Sequence, residues 1–270
     1  DFIRDVIGPV IADAVRDASG IALKPIIKRA LHMGDEMHSR NTAATLLFSQ
    51  ELTPYLLNFS SQHGDKVKQT LHFLKQSDYF FLRLSMAAAK ATADGAHGVA
   101  GSSVVSAMTI NCRDFAIRVS GLDGWFRGPP AIADDVKLFD GFSHEDVEWV
   151  GGESHITETI GLGGFAQAAA FPLQAYQGGS PEVMVELNES MYDITVGENE
   201  HYRIPYLQYR GTPTGIDVFR VVETNVVPVI DAGLAGKGGV GQIGAGILRA
   251  PPECFQLAKE AYLKAYQSEA

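Results

Sequence analysis

Apolar residues follow a helical period through the first hundred residues of the chain. Residues 2–15 carry an apolar stripe at spacings of three and four, which Pro9 interrupts without erasing. The same period predicts further helices near residues 23–33, 36–48 and 65–76 and from Asp78 onward. We therefore expect a helical subdomain over residues 1–100.

The pattern changes after Gly95, where glycine becomes frequent and short β-like runs appear. These runs predict strands at residues 115–120 and 226–230. Helical patterns return at residues 157–176 and 181–196 and from Pro251-Pro252 to Tyr266. Helices and strands mixed without strict alternation predict an α+β fold, with an α+β domain carrying glycine-rich loops over residues 101–270.

The tract His32–Asn41 (HMGDEMHSRN) interrupts helical core material with side chains that hydrogen-bond or titrate. On a helix, Asp35 and His38 share one face, while Glu36 and Arg40 share another. Such faces are either exposed to solvent or line a site, where they place bases, an acid and a fixed cation within reach of one ligand. The tract is therefore a candidate site.

A purely structural interpretation of this tract is also open. Gly34 would end one helix, Asp35 would cap the next, and Glu36 with Arg40 would form a surface ion pair. His32 and Glu36 have helical metal-ligand spacing but lack the rest of a zinc motif, so no metal is predicted.

Residues Gly239 to Gly244 match the GxGxxG pattern after a strand-like run. A dinucleotide-binding loop would need a long helix to follow, and two prolines at 251–252 interrupt it, so this function is disfavoured. Two interpretations stay open: an anion-binding nest of backbone N–H groups with Lys237 at its edge, and a plain strand–turn–strand connection.

Three other places offer polar groups. In residues 210–217, Arg210 and Thr212 could bind an anion, or the segment is a turn that ends in a helix cap at Asp217. Glu158, just before the glycine-rich GLGGFA, is either a general base or a residue at a helix terminus. Arg118 is either an ion-pair partner or an anion clamp. Nowhere in the sequence does the spacing of residues indicate a nucleophilic triad.

Composition excludes several classes of protein. The 270 residues are 46% hydrophobic and 20% charged, which is typical of a globular protein. The net charge of −10, without any Lys/Arg run, argues against binding nucleic acid. Two cysteines in unrelated contexts, Cys112 and Cys254, indicate a reducing compartment. With no membrane-length apolar run and no signal peptide, we expect a cytoplasmic protein; a start at Asp1 within a predicted helix indicates a piece of something longer.

Six segments, in one order, resemble the family of oxamate carbamoyltransferase subunits of anaerobic allantoin breakdown. They are HMGDEMHSRN, YFFLRLSMAAAKA, FAIRVSGL, TETIGLGGFA, YRGTPTGID and GQIGAG. The resemblance covers nearly the whole chain. It implies that members carry, ahead of this part, a Rossmann-like region related to succinyl-CoA synthetase, which we do not find in this sequence.

The resemblance also implies an activity and partners. The implied reaction exchanges a carbamoyl group between oxalurate, a small anionic ureido compound, and phosphate, giving oxamate and carbamoyl phosphate. A succinyl-CoA-synthetase-like subunit is the implied partner. We further expect a homo-oligomer, with no cofactor and no nucleic-acid or membrane partner.

That reaction holds two anions beside one planar carbonyl, which calls for guanidinium and backbone N–H donors. We assign proton transfer to His38, Asp35 and Glu158. We assign substrate binding to Arg40, Asn41, Arg118, Arg210, Thr212, Lys237, Gly239 and Gly241. His38 and Arg40 should then line the same pocket as Gly241 or Arg210. The alternatives are a metal-assisted hydrolase of cyclic or ureido amides and a non-catalytic scaffold that binds partner proteins.

Overall fold

The computed structural model describes residues 1–111, 113–150 and 152–266, with the backbone alone at 134 and 135. Cys112 lies outside the described residues. The fold is α+β, with helices through the first third of the chain and antiparallel sheets after it. The helices are a π-helical segment Ile3–Ile7, α1 (Gly8–Asp17), α2 (Leu23–Leu31), α3 (Thr42–Asn58), α4 (Ser60–His63), α5 (Asp65–Gln76), α6 (Leu82–Gly95), α7 (Gln174–Gln177), α8 (Pro181–Ser190), α9 (Val218–Thr224) and α10 (Pro252–Tyr266).

The strands form three antiparallel sheets. Their bounds are β1 (Val105–Ile110), β2 (Phe115–Val119), β3 (Phe126–Gly128), β4 (Ile132–Leu138), β5 (Val147–Val150), β6 (Thr195–Ile204), β7 (Arg210–Ile216), β8 (Val229–Gly236) and β9 (Gly241–Arg249). The orders are β1-β2-β3, β4-β9-β8-β5 and β6-β7. In the four-stranded sheet Asp231 pairs with Ile247, and Gly236 pairs with Gly241 at the β8–β9 turn.

Among the described residues, buried hydrophobic side chains form two large cores and one small cluster around Leu173. The first is built mainly from helices α1 to α6 and contains Phe48 and Phe81, and the second packs the sheets against α9 and α10. The segment between β5 and α7 belongs to both, since Leu162 packs in the first core and Phe165 in the second. Residues from distant parts of the sequence therefore meet along this segment.

The expectation that helices fill the first part of the chain is confirmed through Gly95, whereas the division into two domains at residue 100 stays a prediction. The helix expected at residues 36–48 begins only at Thr42. Met37 adopts a φ of +77°, and the Glu36 side chain accepts backbone N–H groups that a helix would use. The tract His32–Asn41 is consequently a compact turn rather than a helix.

The helical segments expected at residues 157–176 are present as short 3₁₀ turns followed by α7. Gly161 ends the turn Glu158–Ile160 with a φ of +85°, and Ala166 and Ala170 leave helical geometry within and after the next turn, so no long helix forms. The helix expected at 181–196 ends at Ser190, and β6 begins at Thr195.

The strand expected at 226–230 begins later, at Val229. Asn225 ends α9 with a φ of +57°, and Pro228 precedes the strand. The strand at residues 115–119 and the last helix, to Tyr266, lie where the sequence predicts them. Within the described part of the chain, the helices are too short or too polar to span a bilayer.

Replacing Leu56 by alanine should lower the free energy of unfolding by about 2–5 kcal/mol, because the side chain is fully buried in the helical core and leaves a cavity. Its neighbour Leu57 is 55% exposed on the same helix, so Leu57→Ala is the matched control and should cost less than about 0.5 kcal/mol. Urea unfolding of both variants measures the difference. Equal losses would contradict this packing of α3.

Candidate functional site

A cavity of about 400 Å³ opens between the His32–Asn41 turn and the β8–β9 hairpin. Its polar wall includes His38, Ser39 and Ser154, and the opposite wall includes Gly241 and Gln242. Tyr79, Trp149 and Tyr176 supply aromatic surface. The cavity is thus large enough for a small polar molecule and has titratable groups on one side.

His38 occupies the centre of the polar wall and is hydrogen-bonded through both ring nitrogens. Nδ1 lies 2.7 Å from Oε1 of Glu158, and Nε2 lies 2.7 Å from Oγ of Ser154. Burial disfavours the charged imidazolium, but the nearby Glu158 carboxylate outweighs it and raises the pKa of His38.

Glu158 is fully buried beneath His38. Oε1 also accepts the backbone N–H groups of Gly164 (3.0 Å) and Asp231 (3.2 Å), and the Thr157 hydroxyl lies 2.8 Å from Oε2. Burial alone would raise the pKa of Glu158, but His38 and these donors hold it below its usual value. An ionised Glu158 keeps the proton of His38 on Nδ1 and leaves Nε2 facing the cavity.

The loop around His38 is held by two further buried side chains. Asn41 donates from Nδ2 to the His38 carbonyl at 2.9 Å, so it positions His38 rather than facing the cavity. His155 lies 2.7 Å from the Gly152 carbonyl through Nδ1 and meets the His38 ring edge-on. Burial and the neighbouring His38 lower the pKa of His155 to about 4, so this ring is neutral.

Two further buried acids, Glu36 and Asp231, lie behind the His38–Glu158 pair. Glu36 accepts the backbone N–H of His38 at 2.7 Å and those of Ser39 and Arg40, which folds the tract into its turn. Burial and the carboxyl group of Asp231 raise the pKa of Glu36 well above its usual range, and burial raises that of Asp231 to about 7. Ionisation of both carboxyl groups is therefore disfavoured relative to exposed acids.

Asp35 and Arg40 bond to each other rather than to the cavity. The Asp35 carboxylate pairs with the Arg40 guanidinium and accepts the Ala44 N–H at 2.8 Å, which caps α3. Arg40 also donates to the Gly34 carbonyl at 3.0 Å. The expected Glu36–Arg40 surface pair is therefore wrong. His32 and Glu36 do not share a helix face either. His32 is exposed beside Tyr209, whereas Glu36 is buried.

The structure places the other predicted cations away from the cavity. Arg118 pairs with Asp94 at 2.6 Å, and Arg210 pairs with Glu198 at 2.7 Å while covering the Tyr192 ring. Lys237 donates to a loop carbonyl, that of Glu145. The sequence predicts that His38 and Arg40 line one pocket with Gly241 or Arg210. His38 and Gly241 do share the cavity, whereas Arg40 is not among its described lining residues, which contradicts that part of the prediction. Among the described lining residues none is a lysine or an arginine.

The segment Gly239–Gly244 forms the turn and the start of β9 in the β8–β9 hairpin, so its third glycine lies in a strand rather than at the start of a helix. Gly239 lies in the turn with a φ of +76° and outside the described lining of the cavity, and Gly241 borders the cavity. Thr212 belongs to strand β7 rather than to a loop, and its buried hydroxyl lies against Gly161. The expected cap at Asp217 is confirmed by its bond from the Arg220 N–H.

Sequence reasoning missed Ser154 and Asp231. No spacing in the sequence indicates a nucleophilic triad, whereas the fold brings Ser154, His38 and Glu158 into one hydrogen-bonded row. Sequence spacing could not show it, since His38 and Ser154 are 116 positions apart. For Asp231, the available signal was a lone carboxylate within the apolar run VVPVIDAG.

This arrangement can move a proton between His38 Nε2 and a group in the cavity, with Glu158 stabilising the imidazolium that forms. The side chains that border the cavity can also orient a small polar substrate. Fixed positive charge for an anionic substrate must come from outside the described lining.

Three comparisons relate the chain to known proteins. A family model described as oxamate carbamoyltransferase subunit AllG matches residues 1–154. The chain is 40% identical, over 96% of its length, to the oxamate carbamoyltransferase subunit AllG of Escherichia coli (strain K12), and covers 62% of that protein. It is 41% identical, over 98% of its length, to the uncharacterized protein YahG of the same strain, and covers 56% of it.

The fold matches a solved structure as well. A crystal structure of a conserved protein of unknown function from Enterococcus faecalis V583 superposes with a TM-score of 0.92 at 41% identity, covering 97% of this chain and 63% of that one. The chain thus spans less than two thirds of the length of each of these relatives. From the family match and these identities, the chain belongs to the oxamate carbamoyltransferase subunit AllG family.

Proposed function

We propose that this chain forms the proton-transfer part of a carbamoyltransferase subunit. The reaction exchanges a carbamoyl group between oxalurate and phosphate and gives oxamate and carbamoyl phosphate. Membership of the AllG family supports the class of reaction. The observation that carries the proposal is the buried Glu158–His38 pair beside a cavity of about 400 Å³, with the second ring nitrogen of His38 bonded to Ser154 at the cavity wall.

Carbamoyl transfer needs the proton relay that His38 provides. Breaking the bond between the carbamoyl carbon and the oxamate nitrogen requires a proton on that nitrogen, and hydrogen phosphate must lose one as it forms the mixed anhydride carbamoyl phosphate. A single base can accept the second proton and deliver the first. His38 Nε2 faces the cavity for this task, and Glu158 stabilises the charged ring in between.

The charge of the substrates calls for cationic groups, and the described lining of the cavity contains neither lysine nor arginine. Oxalurate and phosphate are anions, the chain has a net charge of −10, and Glu153 also lines the cavity. The chain covers 56–62% of the curated relatives' length. We propose that the remainder of the protein or a succinyl-CoA-synthetase-like partner subunit supplies the arginine or lysine donors.

Phosphate dependence is the direct test of the reaction. Full-length protein with its partner subunits should convert oxalurate to oxamate and carbamoyl phosphate only when phosphate is present. Turnover at the same rate without phosphate would contradict carbamoyl transfer and favour hydrolysis of the ureido bond. Binding of partner proteins with no turnover under either condition would favour a scaffold.

The pH dependence of kcat/KM for oxalurate should report His38. The rate should rise with pH through an apparent pKa above the ordinary histidine value of 6.5, because His38 must be neutral to accept a proton and Glu158 raises its pKa. In Glu158→Gln the midpoint should move to lower pH, since burial then acts without the carboxylate. A surface control, Glu186→Gln, should leave the profile unchanged. A midpoint that Glu158→Gln does not move would exclude His38 as the titrating group.

Substitutions should separate the buried pair from the surface arginines. His38→Gln should lower kcat/KM by roughly a hundredfold or more, because general acid–base catalysis is lost. Arg118→Lys and Arg210→Lys should stay within about a factor of two of the wild type, since each arginine is paired outside the cavity. Steady-state kinetics with oxalurate and phosphate measure all three. A large loss in either arginine variant would move substrate binding to that surface.

A further inference from the structure

We infer that Ser154 is a nucleophile that carries the carbamoyl group as a carbamoyl-serine between the two substrates. This inference rests on the proposed function for the identity of the donor and acceptor. It makes the transfer a two-step reaction, whereas a proton relay alone would serve direct attack by phosphate.

The first argument is the geometry of three side chains. Oγ of Ser154 lies 2.7 Å from Nε2 of His38, and Nδ1 of the same ring lies 2.7 Å from Oε1 of Glu158. Both distances fall within the range for a serine, its base and the acid that orients the base. These relations identify a triad by role, independently of the order of its members along the chain.

The second argument is that the Ser154 hydroxyl has no structural task in its own turn. In the turn Ser154–Ile156 the Ser154 carbonyl, not the hydroxyl, accepts the Thr157 N–H at 3.0 Å. The cap residue is Glu153, which makes no side-chain capping bond. The hydroxyl is therefore directed to His38.

The third argument is exposure. His38 and Glu158 are buried, whereas Ser154 is half-buried and borders the cavity with Gly152 and Ser39. The carbonyl carbon of a substrate in the cavity can reach Oγ of Ser154 from the solvent side. His38 and Glu158 remain shielded from water beneath the serine. The neutral His155 ring anchors the loop at Gly152 without adding a charge beside His38.

The steps balance as follows. Ser154 Oγ bonds to the carbamoyl carbon as its proton passes to His38 Nε2; the bond from that carbon to the oxamate nitrogen then breaks, and His38 returns the proton to this nitrogen. Hydrogen phosphate next gives its proton to His38 and attacks the carbamoyl carbon. The carbon–Oγ bond breaks, Ser154 recovers the proton, and carbamoyl phosphate leaves.

The test is covalent labelling of the full-length protein with an aryl carbamate, a carbamoyl donor that contains neither oxalate nor phosphate. After an acid quench, intact mass and peptide mapping should find one carbamoyl group on Ser154. Ser154→Ala should show none, His38→Gln should label at least roughly a hundredfold more slowly, and the exposed-serine control Ser60→Ala should label like the wild type. Labelling of another residue, or equal labelling of Ser154→Ala, would overturn the inference.

Two further measurements separate folding and substrate identity from the nucleophile. Ser154→Cys keeps a nucleophile in place and should still be carbamoylated at that position, which shows that loss of label in Ser154→Ala is chemical; no label on either variant or on the wild type overturns the inference. Oxalurate turnover is followed in parallel. Label on Ser154 without oxalurate turnover upholds the nucleophile and contradicts the proposed function, whereas unchanged turnover by Ser154→Ala contradicts the nucleophile alone.

Discussion

A fully buried carboxylate, that of Glu158, is the constraint on which the rest of the site depends. Removing an ionised carboxylate from water costs several kcal/mol unless other groups compensate it. Here His38, the N–H groups of Gly164 and Asp231 and the Thr157 hydroxyl do so. Position 163 must also be glycine, because a Cβ there would lie 2.1 Å from Glu158 Oε1. The backbone at Gly163 thus packs directly against this one side chain.

The groups that stabilise the Glu158 carboxylate bring together three parts of the chain that are far apart in sequence. Glu158 is 120 positions from His38 and 73 from Asp231. Behind Glu158, the Glu36 carboxylate accepts the His38 N–H and so holds the turn that carries His38. Asp231, which belongs to β8, lies beside Glu36. Because burial and the neighbouring carboxyl groups raise the pKa values of Glu36 and Asp231, ionisation of every buried carboxyl group at once is disfavoured. His38 and Glu158 are buried, whereas Ser154 is half-buried at the border of the cavity.

Much of the fold could be predicted from the sequence, because hydrophobic period and prolines act locally. The helices Asp65–Gln76 and Pro252–Tyr266 lie where that period and the proline pair place them. Residues 157–176 have the small, apolar composition of a helix, but the positive φ of Gly161 and Gly163 depends on tertiary contacts. Composition alone cannot reveal that dependence.

The candidate site was predictable in part, for a similar reason. His38 stood out because it lies in a dense polar tract, and Glu158 stood out because it lies just before a glycine-rich, apolar run. A polar group in apolar surroundings needs a partner to offset the cost of its burial. Ser154 carries no such mark, because its partner His38 comes from another region of the sequence. Arg118 and Arg210 could equally bind anions or acids, and only the fold shows that Asp94 and Glu198 lie beside them.

The most direct test of the account is an NMR titration of the His38 ring nitrogens in ¹⁵N-histidine-labelled protein. The account predicts a neutral ring protonated on Nδ1 at high pH, with a pKa above 6.5 that falls in Glu158→Gln. A His38 pKa below 6.5 in the wild type, or one that Glu158→Gln leaves in place, would contradict the claim that the buried carboxylate controls this histidine.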